Sequence, residues 1–151
     1  MRLHIASLTV NLGSVELPGA ANAPAPLPAS TRIGEPWPGL GGTYAGLSRG
    51  EDGEPDGHLV LLDDVPSSDL DWAGAVKWAE SLGNDARLPT RSESALLYAN
   101  VRDKVDTERW HWTGTQCSEA NAWGQYFDGG HQYGNGKRSK ARARAVRRFS
   151  A

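Results

Sequence analysis

Side chains able to do covalent or metal chemistry are few in this chain. It has one cysteine, Cys117, and four histidines, His4, His58, His111 and His131. The histidines share no ligand spacing, and a zinc site built on them would lack its cysteines. A catalytic thiol needs a neighbouring base and a lowered pKa. Cys117 has no matching histidine signature and reads as inert. No Ser/His/Asp order stands out. Gly39-Leu40-Gly41-Gly42 precedes a strand rather than a helix, so it reads as a turn and not as a phosphate cradle. The expectation is therefore no enzyme, no metal and no cofactor. With one cysteine an internal disulfide is ruled out, which fits a reducing compartment or a virion.

Residues suited to recognition are plentiful. The chain of 151 residues carries six Trp, four Tyr and 18 Gly. From Cys117 to Lys140, small and polar residues are scattered among aromatics. Tyr supplies contact area at low entropic cost, and Asn, Ser and Gly supply adaptable hydrogen bonds, the composition of a paratope. The candidate ligand-binding residues are Asn121, Gly124, Tyr126, His131, Tyr133, Asn135, Arg138 and Lys140. Tyr126, Tyr133 and Arg138 are the expected anchors, with His131 and Asn135 as specificity contacts. Trp110 and Trp112 share one face of an alternating run, with His111 opposite, and read as core.

Charge is uneven. Lys137, Arg138, Lys140, Arg142, Arg144, Arg147 and Arg148 carry seven of the 16 basic residues in a stretch without an acid, while all 18 acidic residues lie elsewhere. Such a stretch suits nucleic acid or a basic strand laid on its own acidic domain. The second reading is preferred, and nucleic acid is not expected as a partner. On it, Arg142, Arg144 and Arg147 should pair with acids such as Asp63, Asp64, Glu93 or Asp103. No stretch approaches the ~18 apolar residues of a membrane span, and no signal peptide is apparent. A virion or a host cytoplasm fits.

Several elements must position these residues. Residues 1–17 read as short strand-like pieces. Residues 18–38, with six prolines among Ala, Gly and Ser, read as a linker; residues 1–38 are also the expected place of any homo-oligomer contact. The main domain is expected over 39–151. Residues 43–47 and the apolar run 58–62 read as strands. Residues 71–82 read as a helix capped by Asp69 or Asp71 and ended by Gly83, with Trp72, Val76, Ala79 and Leu82 on one face. Thr90-Arg91-Ser92-Glu93 is a capping box opening a second helix to about residue 101. Strands are expected near 110–114, 122–127 and 142–149, with a long glycine-rich turn over 128–136. The order is α+β, two helices packed on antiparallel sheets.

That order, with Leu88-Pro89-Thr90-Arg91-Ser92-Glu93, Trp110-His111-Trp112-Thr113-Gly114-Thr115, Ala122-Trp123, Tyr126-Phe127-Asp128-Gly129-Gly130 and Arg142-Ala143-Arg144-Ala145-Val146-Arg147-Arg148, resembles the Lcl C-terminal domain family. This is a phage and bacterial branch of the C-type-lectin-like proteins, and the likeness covers roughly residues 41–150. It implies a C-type-lectin-like fold, a binding role and a phage or prophage gene. It is also similar to the variable proteins of diversity-generating retroelements, whose variable positions fall on the C-terminal strand-and-loop surface. The calcium motifs of animal lectins are not matched: Glu54-Pro55-Asp56 lies ahead of the first helix, and no Trp-Asn-Asp occurs. The expected function is a non-enzymatic module binding a protein or glycan ligand of a host cell. The alternative is an intracellular phage effector that binds and inhibits a host protein.

Overall fold

The computed structural model describes residues 31–151. The strand-like pieces expected in 1–17, and most of the linker and of the stretch 1–38 expected to carry any oligomer contact, lie outside the described residues.

The chain forms an α+β fold with two antiparallel sheets and two helices. The first sheet has the order β1-β2-β3-β7. Its centre is β3 (Gly57–Leu62), whose residues Leu59 to Leu62 are fully buried. A continuous apolar run suits a strand covered on both faces. β2 (Gly42–Ser48) lies on one side of it, with an irregularity between Tyr44 and Gly46. β7 (Val146–Ser150) lies on the other. β1 (Pro36–Trp37) pairs with the outer edge of β2, a place that tolerates proline because no ladder N–H is required there. This corrects the expected boundary. Trp37 is 3% exposed and packs on Tyr44 and Phe149, so the domain begins inside the stretch read as linker. Proline content signals the loop, but Trp37 needs only two paired residues to become core.

Both helices follow their sequence signals. α1 (Trp72–Ser81) is capped by Asp71, whose carboxylate accepts from the Gly74 N–H at 2.8 Å. Gly83, at φ 73°, turns the chain after it. α2 (Arg91–Val101) opens on the full capping box: the Thr90 hydroxyl accepts from the Glu93 N–H, and the Glu93 carboxylate accepts from the Thr90 N–H. Glu93 is 3% exposed and also takes a two-pronged bond from Arg87 at 2.6 and 2.8 Å. Burial pushes its carboxyl up; the Arg87 fork and the Thr90 N–H outweigh that and hold it below the usual range. Glu93 is therefore paired with Arg87 and not with the C-terminal arginines.

The second sheet has the order β4-β5-β6, with β4 spanning Trp110–Gln116, β5 Asn121–Tyr126 and β6 Gln132–Gly136. β6 replaces part of the long turn expected over 128–136. Its Gly and Asn residues have low strand propensity. It is held by uninterrupted pairing with β5 from Asn121↔Gly136 to Gln125↔Gln132. The turn joining them needs Gly130, at φ 76°, where a Cβ would lie 2.6 Å from the Tyr98 ring.

The final strand also differs from expectation, because only Val146–Ser150 joins the first sheet. Residues 141–145 instead tie the two sheets together. Ala141 exchanges backbone bonds with Leu70, Arg142 bonds Trp110 and Trp112, and the Ala145 carbonyl accepts from Leu62. Ala141, Ala143 and Ala145 point into the core, and the alternate arginines emerge at its rim. Arg142 pairs with Asp69 and Asp106 at 3.4 and 3.6 Å. Arg144 donates to the carbonyls of Lys104 and Leu62 at 2.6 and 2.7 Å. Arg147 reaches the carbonyls of Leu82 and Gly83, and Arg148 reaches Glu54 and the carbonyls of Ser48 and Pro55. The basic stretch does lie on its own domain, but the expected partners are corrected. Backbone carbonyls do most of the holding, and Asp63 and Asp64 act on Arg144 only through space.

Candidate binding surface

Alternation along β5 assigns the candidate residues to faces. The register pairs Trp110 with Tyr126, Trp112 with Gly124, Gly124 with Tyr133, and Ala122 with Asn135. All of these share one face. At one end of that face the core closes over it: Trp112 is 1% exposed and its indole N–H donates to the Leu70 carbonyl at 2.8 Å. At the other end the face opens. The Trp110 ring lies 5.3 Å from Tyr126 and 5.5 Å from Tyr133, and His131 lies 6.2 Å from Tyr133. Tyr133 is 56% exposed.

Gly124 is the floor of this cluster. A Cβ there would lie 2.8 Å from the Asn135 amide nitrogen and 3.4 Å from the Trp110 ring. Any larger residue would push the neighbours apart, so glycine here serves close packing. Five of the eight sequence candidates thus come together: Gly124, Tyr126, His131, Tyr133 and Asn135. Asn121 does not. It pairs with Gly136 on the opposite face. Arg138 and Lys140 are exposed in the turn beyond β6, outside the ring cluster.

Trp110 is the residue the sequence reading misplaced. It is half-buried, packed against the core on one side and against the two tyrosines on the other. Sharing a face with Trp112 was legible from alternation. That the face runs from core to solvent between those two residues was not.

The opposite face of the sheet is occupied by α2. The Arg91 guanidinium lies 3.6 Å over the Trp123 ring and donates to the Gln132 side chain. Gln132 in turn donates to Gln125 and to the Arg91 carbonyl at 2.7 and 2.9 Å. This network fixes β6 and hence the aromatic face beyond it. Below it lies His111, 4% exposed, its ring against Phe127 and one ring nitrogen 2.9 Å from the Arg109 carbonyl. Burial drives its pKa down to about 4, so the ring is neutral at pH 7 and acts as a structural donor.

Elsewhere a cavity of about 380 Å³ is lined by Glu54, Asp56, Asp85, Arg87 and Arg148. Its arginines are already committed, Arg87 to Glu93 and Arg148 to Glu54. Cys117 is exposed, with its sulfur beside Gly134. Among the described residues no cluster of three or more His, Cys, Asp or Glu is placed to hold a metal, and no helix is long and apolar enough to cross a membrane.

Fold and surface together define an α+β domain that presents an aromatic sheet face. No protein-family model matches the chain, and no curated protein matches its sequence.

Proposed function

We propose that this chain is a lectin-like, non-enzymatic recognition module of phage or prophage origin. Its ligand, a protein or glycan of a host cell, is bound on the open face of the second sheet. One observation carries the reading: Trp110, Tyr126, Tyr133 and His131 form a chain of ring contacts that ends on a largely exposed tyrosine. Aromatic side chains held at a surface by their neighbours supply area with little further entropy to lose. For the inhibitor alternative the basic stretch offers less contact than its charge suggests, because Arg142, Arg144, Arg147 and Arg148 are held by their own domain.

The test is a glycan array and a peptide array probed in parallel with the parent, Tyr126→Ala and Tyr133→Ala. The parent should retain a subset of spots. Each variant should lose about 2 kcal/mol of binding, roughly thirtyfold, with little change in melting temperature. A parent that retains nothing on either array overturns the proposal. So do folded variants that bind as the parent does.

A further inference from the structure

β6 is the edge of its sheet among the described residues, and the pairing pattern says which of its backbone groups face outward. Tyr126 N–H donates to the His131 carbonyl and Lys137 N–H to the Ala120 carbonyl. In an antiparallel ladder, hydrogen-bonded pairs alternate with non-bonded ones. Residues 131, 133, 135 and 137 therefore turn their N–H and C=O toward β5. Gln132, Gly134 and Gly136 turn theirs away from it. The Gly136 carbonyl is taken by Ser139 N–H. The N–H and C=O of Gln132 and of Gly134 are left along an edge where Gly134 is exposed.

Charge around this edge is net positive. Arg138 and Lys140 sit in the turn just past β6, exposed and without a side-chain partner among the described residues. Arg91 reaches Gln132 of β6 from the other face and has no carboxylate partner among the described residues. Against these three cations stand the exposed carboxylates Glu119 and Asp128 at the ends of the hairpins. Most other arginines near the sheets are occupied by carbonyls or acids, whereas Arg138 and Lys140 have no partner among the described residues and Arg91 meets only the neutral Trp123 and Gln132.

We propose that β6 takes an extended acidic peptide as an added strand, the peptide being a segment of the ligand protein. Outward backbone groups at Gln132 and Gly134 would hold the peptide main chain. Its alternate side chains would lie beside Tyr133 on one face and toward Arg91 on the other. Its carboxylates would meet Arg138 and Lys140. Strand addition of this kind draws affinity from main-chain bonds and specificity from alternate side chains. The inference rests on the recognition reading above and narrows its ligand from protein or glycan to peptide.

The test titrates the ¹⁵N-labelled chain with an acetylated peptide of about seven residues, a typical strand length, alternating valine and glutamate. A lysine counterpart and two N-methylated forms, one for each alternate set of amides, are titrated alongside. Amide resonances of Gln132 and Gly134 should shift with the glutamate peptide. One N-methylated form should bind about tenfold or more weakly while the other is unaffected, because only one set of peptide amides faces β6. The doubly reversed variant, Arg138→Glu with Lys140→Glu, should fold as the parent and prefer the lysine peptide. Silent β6 amides, equal loss from both methylated forms, or equal binding of both peptides by the parent overturns the inference. Shifts at Gln132 and Gly134 that follow dilution of the protein alone overturn it too, since a second copy would then occupy the edge. If Tyr133→Ala abolishes array binding while β6 stays silent to peptide, the recognition surface stands and this narrowing of its ligand falls.

Discussion

The two sheets use similar residue types to opposite ends. In the first, β3 is buried on both faces, and the arginines that flank it are bonded to carbonyls of neighbouring loops. In the second, one face meets α2 through a polar network, while half of the other face is left to solvent with tyrosine and histidine on it. Around the first sheet positive charge is held largely by backbone carbonyls; in the turn past the second, Arg138 and Lys140 have no partner among the described residues. Composition alone therefore does not separate a surface built to be closed from one left open. Neighbouring carbonyls do.

Substitutions should separate the two regions in proportion. The largest effect belongs to β3: Leu61→Ala, at a fully buried position, should cost about 3 to 4 kcal/mol in urea unfolding. A value below about 1 would mean that the first sheet is not the rigid half.

Acid should act next, through His111. The unfolded pKa is about 6.5 and the folded value about 4. Between them the unfolded chain binds the extra proton, so stability falls as pH is lowered from about 6.5 toward 4, by up to about 3 kcal/mol, and is fully present above that window. In His111→Gln this slope should flatten, as read by unfolding midpoints across the range.

Arg144→Ala leaves the carbonyls of Leu62 and Lys104 without their donor and should cost about 2 to 3 kcal/mol. Arg144→Lys should recover little of it, because one ammonium cannot reproduce the guanidinium fork.

On the open face, Trp110→Ala should cost about 2 kcal/mol through its half-buried ring, together with a loss of ligand. Tyr133→Ala should stay within about 0.5 kcal/mol of the parent and lose ligand alone. Equal destabilisation by these last two would erase the distinction between core and surface on that face.

Helices were the most legible part of the fold, because their signals are local. Asp71 with Gly74, and Thr90 with Glu93, are contacts three residues apart. β3 was legible as a bare apolar run. β6 was not, since Gln132 to Gly136 carries no strand pattern of its own and takes its conformation from β5. β1 was hidden because prolines surround Trp37. In the candidate surface, the aromatic and small residues of β5 and β6 could be picked by type, yet which face each takes depends on register. That is why Asn121 parted from the others. The carbonyl partners of Arg144 and Arg147 lie 40 to 82 and 64 to 65 residues away. Counting charges along the chain finds acids and overlooks carbonyls.

The central place of β3 has a consequence for how the chain reaches this state. Its partner on one side, β2, is a short loop away; its partner on the other, β7, pairs Gly57 with Ser150. Until that distant strand arrives, a run of Leu and Val has an open hydrogen-bonding edge, the template on which chains pair with one another. Long-range closure is slow. Refolding yield should therefore fall as protein concentration rises, with self-association competing for the side of β3 that β7 must claim.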